Sequence, residues 1–395
     1  MKWLKQLIEV SVVSLASLPR RVGTAGVAVL GIAGVVGVFV AVMALATSLE
    51  DSLLKTGSAD RFLVVRGGAN FESSSFIPRD AIDVVARQPG VRKAPDGAPL
   101  LSADAVVSVG LPGPGGRENV TARGASAQVW SVRPELRVIE GRAFQPGLRE
   151  IVIGRTVRAR FPDLRIGSEV PLQGGGWRIV GVFESGGDTH ESEMLTDLET
   201  LLSAYQRSSL SSITGQLTSA AAFAELQHAL SSDPTVSVDV LRESDFYRRS
   251  TEGVARFLFL SGRVITIIMA LGAVFAALSA MYATTEDRSG EIATLRALGF
   301  QSSSVVGAVL IESLLLAAIG AALGALVAWL VFNGSVVSTV ASGSSDSQIL
   351  VPMLITPGVL TGGILWALGI GFLGGAAPAL RAGTRPIARL LQQLR

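Results

Sequence analysis

The sequence predicts a membrane protein with four transmembrane α-helices and a large α+β extracytoplasmic domain between spans 1 and 2. Three observations predict it. Apolar runs at 22–46, 257–282, 305–332 and 355–377 are each long enough to cross a bilayer. The stretch 48–255 has no such run and alternates short strand-like and helix-like patterns instead. Lysine and arginine collect on the segments that a four-span chain places on one side.

Composition agrees. The 395 residues are 49% hydrophobic and only 17% charged, with 44 glycines, too apolar for a soluble chain of this length. The net charge of +2 has no clustered basic face behind it, which argues against nucleic acid as a partner. There is no cysteine, so disulfides, thiolate metal sites and cysteine nucleophiles are excluded.

Residues 1–21 hold Trp3, Leu4, Leu7, Ile8, Val12, Leu15 and Leu18 mostly at steps of three and four, flanked by Lys2, Lys5, Arg20 and Arg21. That pattern predicts a cytoplasmic amphipathic helix lying in the membrane interface, in contact with lipid. The first span, 22–47, begins with 25 residues that carry no charge. Ala44-Leu45-Ala46 resembles a leader-cleavage site, but the run exceeds the 7–15 residues of a secretory apolar core. An uncleaved helix is expected.

Within the domain at 48–255, strands are predicted at Arg61–Arg66, 105–109, 150–153, 177–183 and 236–241, and helices at 81–87, 194–205 and 221–230. The Pro/Gly-rich segment 111–116 predicts a loop or hairpin tip. Two small lobes are expected, split near 95–185. Span 2 covers 256–283, span 3 303–333 and span 4 355–378, with a Ser/Gly-rich extracytoplasmic connection at 334–354 and a tail at 379–395. The leader, the 284–302 loop (Arg288, Arg296) and the tail (Arg381, Arg385, Arg389, Arg395) carry the positive charge, whereas the 334–354 loop has none. The positive-inside rule makes both termini cytoplasmic.

Chemistry is sparse. A phosphate-binding loop needs a lysine after a glycine-rich run. The four lysines, at 2, 5, 55 and 93, do not stand in that pattern. ATP-driven work would then need another subunit, so no catalytic, cofactor or metal residue is assigned to this chain. His190 lies in Asp188-Thr-His-Glu191-Ser-Glu193, whose donors suit a cation, although a solvated loop is expected. Glu312 falls inside span 3, and an intramembrane carboxylate is a functional candidate by default. Snorkelling or packing against another helix is one reading of it; helix pairing or relay is the other.

The loop at 284–302 predicts a short helix capped by Thr284 or Thr285 and ended by Gly299. Ile292, Leu295 and Leu298 would form an apolar ridge, with Glu286, Asp287, Arg288, Glu291 and Arg296 as polar surface. Such a helix either docks into a partner's groove or merely covers the membrane surface.

The run Glu286-Asp-Arg-Ser-Gly-Glu-Ile-Ala-Thr-Leu-Arg-Ala-Leu-Gly299 resembles the segment between spans 2 and 3 of MacB/FtsX/LolCE-type ABC permeases. Ile311-Glu312, the Pro378-Ala-Leu-Arg-Ala382 signature, and 140–144, 150–154 and 177–182 in the large domain resemble that family in the same order. The resemblance implies a type VII architecture without a fused ATPase. Permease subunits pair as a homo- or heterodimer. An ABC ATPase subunit, carrying ATP and Mg, docks on Glu286, Arg288, Glu291, Ile292, Leu295, Arg296, Leu298 and Gly299. Its motion passes through stalk-like ends of spans 1 and 2, near 48–55 and 245–256, to the large domain (mechanotransmission). The implied location is the bacterial inner membrane. Export or extraction of a small molecule, lipid, lipoprotein or peptide is the leading function, and an efflux version admits a periplasmic adaptor. The alternatives are an FtsX-like regulator of a cell-wall hydrolase and an anchored binding protein.

Overall fold

The computed structural model describes residues 2–17, 22–113, 116–232, 237–287, 289–340 and 348–384. Arg20, Arg21, Arg288, the centre of the 334–354 loop and the tail from 385 lie outside them. Among the described residues four helices are long and apolar enough to cross a membrane, Ala25–Lys55, Leu260–Ala283, Ser302–Phe332 and Pro357–Thr384.

The chain opens with α1 (Lys2–Ser17) and α2 (Val22–Lys55), then β1 (Arg61–Arg66) and α3 (Ala81–Ala86). β2 (Leu101–Gly113), β3 (Gly116–Ala125), α4 (Val129–Val132), β4 (Arg137–Gly141), β5 (Glu150–Gly154) and α5 (Arg155–Arg160) follow. β6 (Glu169–Leu172), β7 (Gly175–Glu184), β8 (Glu193–Asp197), α6 (Leu198–Ala204), β9 (Ser212–Gln216), α7 (Ala222–Ser231) and β10 (Val238–Arg242) come next. The remainder is α8 (Glu243–Asp287), α9 (Ser289–Ala297), α10 (Ser302–Phe332), β11 (Val336–Val340), β12 (Gln348–Pro352) and α11 (Pro357–Thr384). Two compact units result. One is helical (1–46, 258–335, 353–395) and the other is α+β (47–257, 336–352).

The α+β unit is built on a ten-stranded sheet ordered β10-β1-β9-β2-β3-β8-β5-β7-β4, with β6 added on β7. Its central strands are buried on both faces. Ile151 and Ile153 of β5 enter the main core while Val152 between them enters a second cluster with Phe183 and Leu195, as a period of two requires. The expected split into two lobes near 95–185 does not occur. β9 pairs with β2, and β8 pairs with both β3 and β5, so the ladder crosses the division.

The helix expected over 194–205 is half strand. Met194, Leu195, Leu198, Leu201 and Leu202 have helical spacing, but Met194 and Leu195 are central in the sheet and face opposite cores. Asp197 then ends β8 and caps α6, accepting from Thr200 N at 3.0 Å. β2 and β3 pair up to Gly113–Gly116, and the tip expected within 111–116 falls on residues 114–115, outside the described residues. The described ends of the 334–354 connection are strands. β11 and β12 pair from Val336–Pro352 to Val340–Gln348. Leu350 joins the main core, and Ser192 Oγ donates to its carbonyl at 2.7 Å.

In the helical unit, small residues set the packing, as in other bilayer-spanning bundles. A Cβ on Gly324 of α10 would lie 2.3 Å from the Ala33 carbonyl oxygen of α2, and one on Gly371 of α11 would lie 2.5 Å from Ala317 Cβ of α10. Ser313 Oγ donates to the Gly371 carbonyl at 2.6 Å. α1 rests on the start of α10, where Trp3 Nε1 donates to Ser303 Oγ at 3.1 Å and Gln301 N donates to Gln6 Oε1 at 3.4 Å. Val10 and Ser11 of α1 are buried, while Trp3, Ile8 and Val12 stay exposed, an apolar face of the kind that enters lipid.

Candidate functional site

The segment between α8 and α10 holds its shape through two devices. α8 continues through Thr284 and Thr285 to Asp287, so neither threonine is the expected cap. Thr285 Oγ1 instead donates to the Met281 carbonyl inside α8, at 2.6 Å. At the other end, Gly299 has φ +94, which suits glycine. Phe300 N donates to Leu295 O and Gly299 N to Arg296 O, each at 3.2 Å. This is a Schellman ending, and it stops α9 where the sequence predicts.

The expected ridge is rearranged. Ile292 is only 6% exposed and packs with Met281, Val305, Val309, Ala379 and Ala382. Ala293 is fully buried, Leu295 and Arg296 are half-buried, and Leu298 is 73% exposed. Each residue turns an α-helix by about 100°. Three residues therefore fall about 60° short of a full turn, and Ile292 and Leu298 end up on different faces. The outward face is Glu291, Thr294 and Leu298, at i, i+3 and i+7. Ile292 and Ala293 anchor α9 to the helices around it. Glu286 is exposed at the end of α8, and Arg288 lies outside the described residues. Arg381 of α11 stacks over the Tyr282 ring of α8, 5.5 Å from its centroid. Glu312 is 3% exposed, so it is packed inside the helical unit and does not snorkel.

A second constellation, in the α+β unit, was not legible in the sequence. Arg123 of β3 bonds Glu72 (2.8 Å), Glu193 (2.6 Å) and Asp104 (3.1 Å). Arg133, just after α4, bonds Asp104 and Glu243 at 3.0 Å each and Thr214 at 2.8 Å. Arg61 of β1 bonds Glu243 and Glu135. Glu243 is the first residue of α8, and it also accepts from Ser58 N at 3.0 Å, three residues beyond α2. Tyr247, one turn along α8, donates to Glu72 at 3.0 Å. Because β1 follows α2 and β10 precedes α8, and the two strands pair (Phe62–Arg242 to Arg66–Val238), the network lies at the roots of both helices.

Burial alone would raise the carboxyls, but the guanidinium charges outweigh it. Arg123 brings Glu72 down to about 2 and holds Glu193 well below the usual range. Arg133 and Arg61 do the same for Glu243. His190 is 1% exposed, so the expected solvated loop is a buried turn. Burial pushes its imidazole down, but the charges of Glu193 and Asp188 pull it up overall. Burial raises Asp188 to about 6. The described residues hold no His/Cys/Asp/Glu group arranged for a metal ion. The arrangement supplies guanidinium–carboxylate locks.

Four membrane helices, an α+β domain inserted between the first two, and an anchored helix with one outward face together define a multi-pass membrane protein. Residues 25–232 match the family model of the MacB-like periplasmic core domain, and 263–387 match that of the FtsX-like permease C-terminal domain. The chain belongs to the MacB/FtsX-type permease family, a permease component of ABC transporters that works with an ATPase partner. The crystal structure of the extracellular domain of the noncanonic ABC-type transporter YknZ from Gram-positive bacteria is similar over 46% of this chain and 99% of that one, at 18% identity and a TM-score of 0.36. No curated protein matches.

Proposed function

We propose that this chain couples a separate ATPase subunit to its α+β domain, and that the coupling drives export or extraction of a substrate. The observation that carries this is the division of labour on α9. Ile292 and Ala293 fasten it to the surrounding helices, while Leu298, at 73% exposure, stands outward beside Glu291 and Thr294. A helix anchored on one side and open on the other transmits a push from a partner's groove. In this reading ATP and Mg sit on the partner, Glu286 to Gly299 face the cytoplasm, and both termini are cytoplasmic in a bacterial inner membrane. α8, continuous from Glu243 to Asp287, carries the motion to the Arg61–Glu243–Arg133 lock. A second permease subunit completes the complex. Small molecules, lipids, lipoproteins and peptides are the substrate classes this coupling serves.

The experiment is affinity capture of the tagged full-length chain from its native membrane, with Leu298→Glu beside wild type. Leu298 is exposed, whereas Leu295 is half-buried, so the change at 298 leaves the packing of α9 intact. A P-loop ATPase should accompany wild type and be lost from the variant. Equal recovery with both, or no ATPase with either, would sink the docking claim.

A further inference from the structure

α8 and α11 meet closely at one level and stand apart at another. A Cβ on Gly374 would lie 2.6 Å from Ala277 Cβ, so the helices touch there. Toward the N-terminal end of α8 they line an apolar groove of about 480 Å³, walled by Ile267, Leu271 and Val274 and by Trp366, Gly369 and Leu373. That volume lies in the range of roughly 300–1,000 Å³ typical of small-molecule sites. The stretch Ile267 to Val274 rises about 10 Å, a third of the bilayer's hydrocarbon thickness. The groove therefore matches part of one acyl chain in one leaflet.

Arg263 fixes what kind of lipid fits. It is exposed and lies four residues before Ile267, on the same face of α8 and about 6 Å further out along the helix. A guanidinium so near the span's end reaches headgroup level. Neither wall offers it a carboxylate, because α8 has no acidic residue between Glu252 and Glu286 and α11 has none at all. Guanidinium binds phosphate through paired hydrogen bonds. We infer that the α8–α11 groove is a binding site for one anionic phospholipid, with its phosphate on Arg263 and an acyl chain between Ile267 and Leu373. The site is separate from the ATPase-docking face and stands whether or not that docking is correct. A second copy of the chain is the competing occupant.

The test uses the full-length chain in phosphatidylcholine nanodiscs doped with phosphatidylglycerol that carries a diazirine on one acyl chain. Photolabelling should fall on 267–274 and 365–373 and be competed by unlabelled phosphatidylglycerol but not by phosphatidylcholine. Arg263→Gln should cut it roughly tenfold, and Arg263→Lys, which keeps the charge but not the paired hydrogen bonds, should restore only part of it. Gly369→Leu should also abolish it, by filling the groove; a Cβ there meets nothing within 4 Å, and unchanged thermal stability of the variant in nanodiscs would separate groove filling from unfolding. Unchanged labelling in Arg263→Gln, or equal labelling of the exposed Leu323 and Leu330 of α10, would overturn the site. Quantitative disulfide-linked dimers of Trp366→Cys with no labelling would assign the groove to a second copy and overturn it equally.

Discussion

Glu243→Gln tests whether the buried lock holds the root of α8. Glu243 is fully buried and accepts from Arg61, from Arg133 at 3.0 Å and from Ser58 N at 3.0 Å. Glutamine keeps the shape but loses the charge, and it turns an amide NH₂ toward donors. Removing one partner from a buried ion pair costs about 3–5 kcal/mol. Arg61 keeps Glu135, and Arg133 keeps Asp104, so the lower end, about 3 kcal/mol, applies. That is on the order of a hundredfold in a local opening equilibrium. Amide hydrogen exchange on the full-length chain reads this directly. Peptides from β1, β10 and the first turns of α8 should exchange on the order of a hundredfold faster. Glu199→Gln, which breaks an exposed pair with Arg79, should change exchange by less than about fivefold, because exposed pairs contribute little. Exchange at β1 and β10 within fivefold of wild type in Glu243→Gln would refute the lock.

Further outcomes bear on packing and protonation. Glu72 is lowered from 4.5 to about 2 in the folded chain, so its contribution is full above pH 4.5 and is lost as pH falls toward 2. About 3 kcal/mol should vanish across that window; denaturation midpoints should fall steeply there in wild type and more shallowly in Glu72→Gln. Gly324→Leu should lower thermal stability in detergent by several degrees or prevent folding, since backbone at 2.3 Å cannot give way. Gly34→Leu, with nothing within 4 Å of its Cβ, should be tolerated. Gly299→Ala should fray the end of α9, because φ +94 costs a β-carbon about 1–2 kcal/mol; exchange at 297–300 should rise about tenfold.

Legibility followed the range of the forces involved. The spans were readable because a bilayer demands long apolar runs, and α2, α8, α10 and α11 supply them. Gly299 was readable because its φ is a local requirement. β1 was readable as a short apolar run, Phe62 to Val65, bounded by Arg61 and Arg66, but β8 was not, because the helical spacing of Met194 to Leu202 yields to pairing with β3 and β5. The face of α9 was misread by two steps of about 60°, which buried Ile292 and left Leu298 outward. The lock escaped entirely. Arg61, Arg123 and Arg133 meet Glu72, Asp104, Glu193 and Glu243 across as many as 182 positions, and isolated charges in an α+β stretch read as surface. His190 was misjudged for the same reason, since its neighbours Asp188, Glu191 and Glu193 resemble a solvated loop until the sheet closes over them.

The central claim is that ATP acting at α9 is felt at the root of α8. The measurement is hydrogen exchange on the complete complex in lipid nanodiscs, with and without ATP, at residues 47–58 and 243–257. ATP should shift exchange at both segments in wild type, and Leu298→Glu should abolish the shift. Identical exchange with and without ATP, while the bound ATPase turns over, would contradict the account.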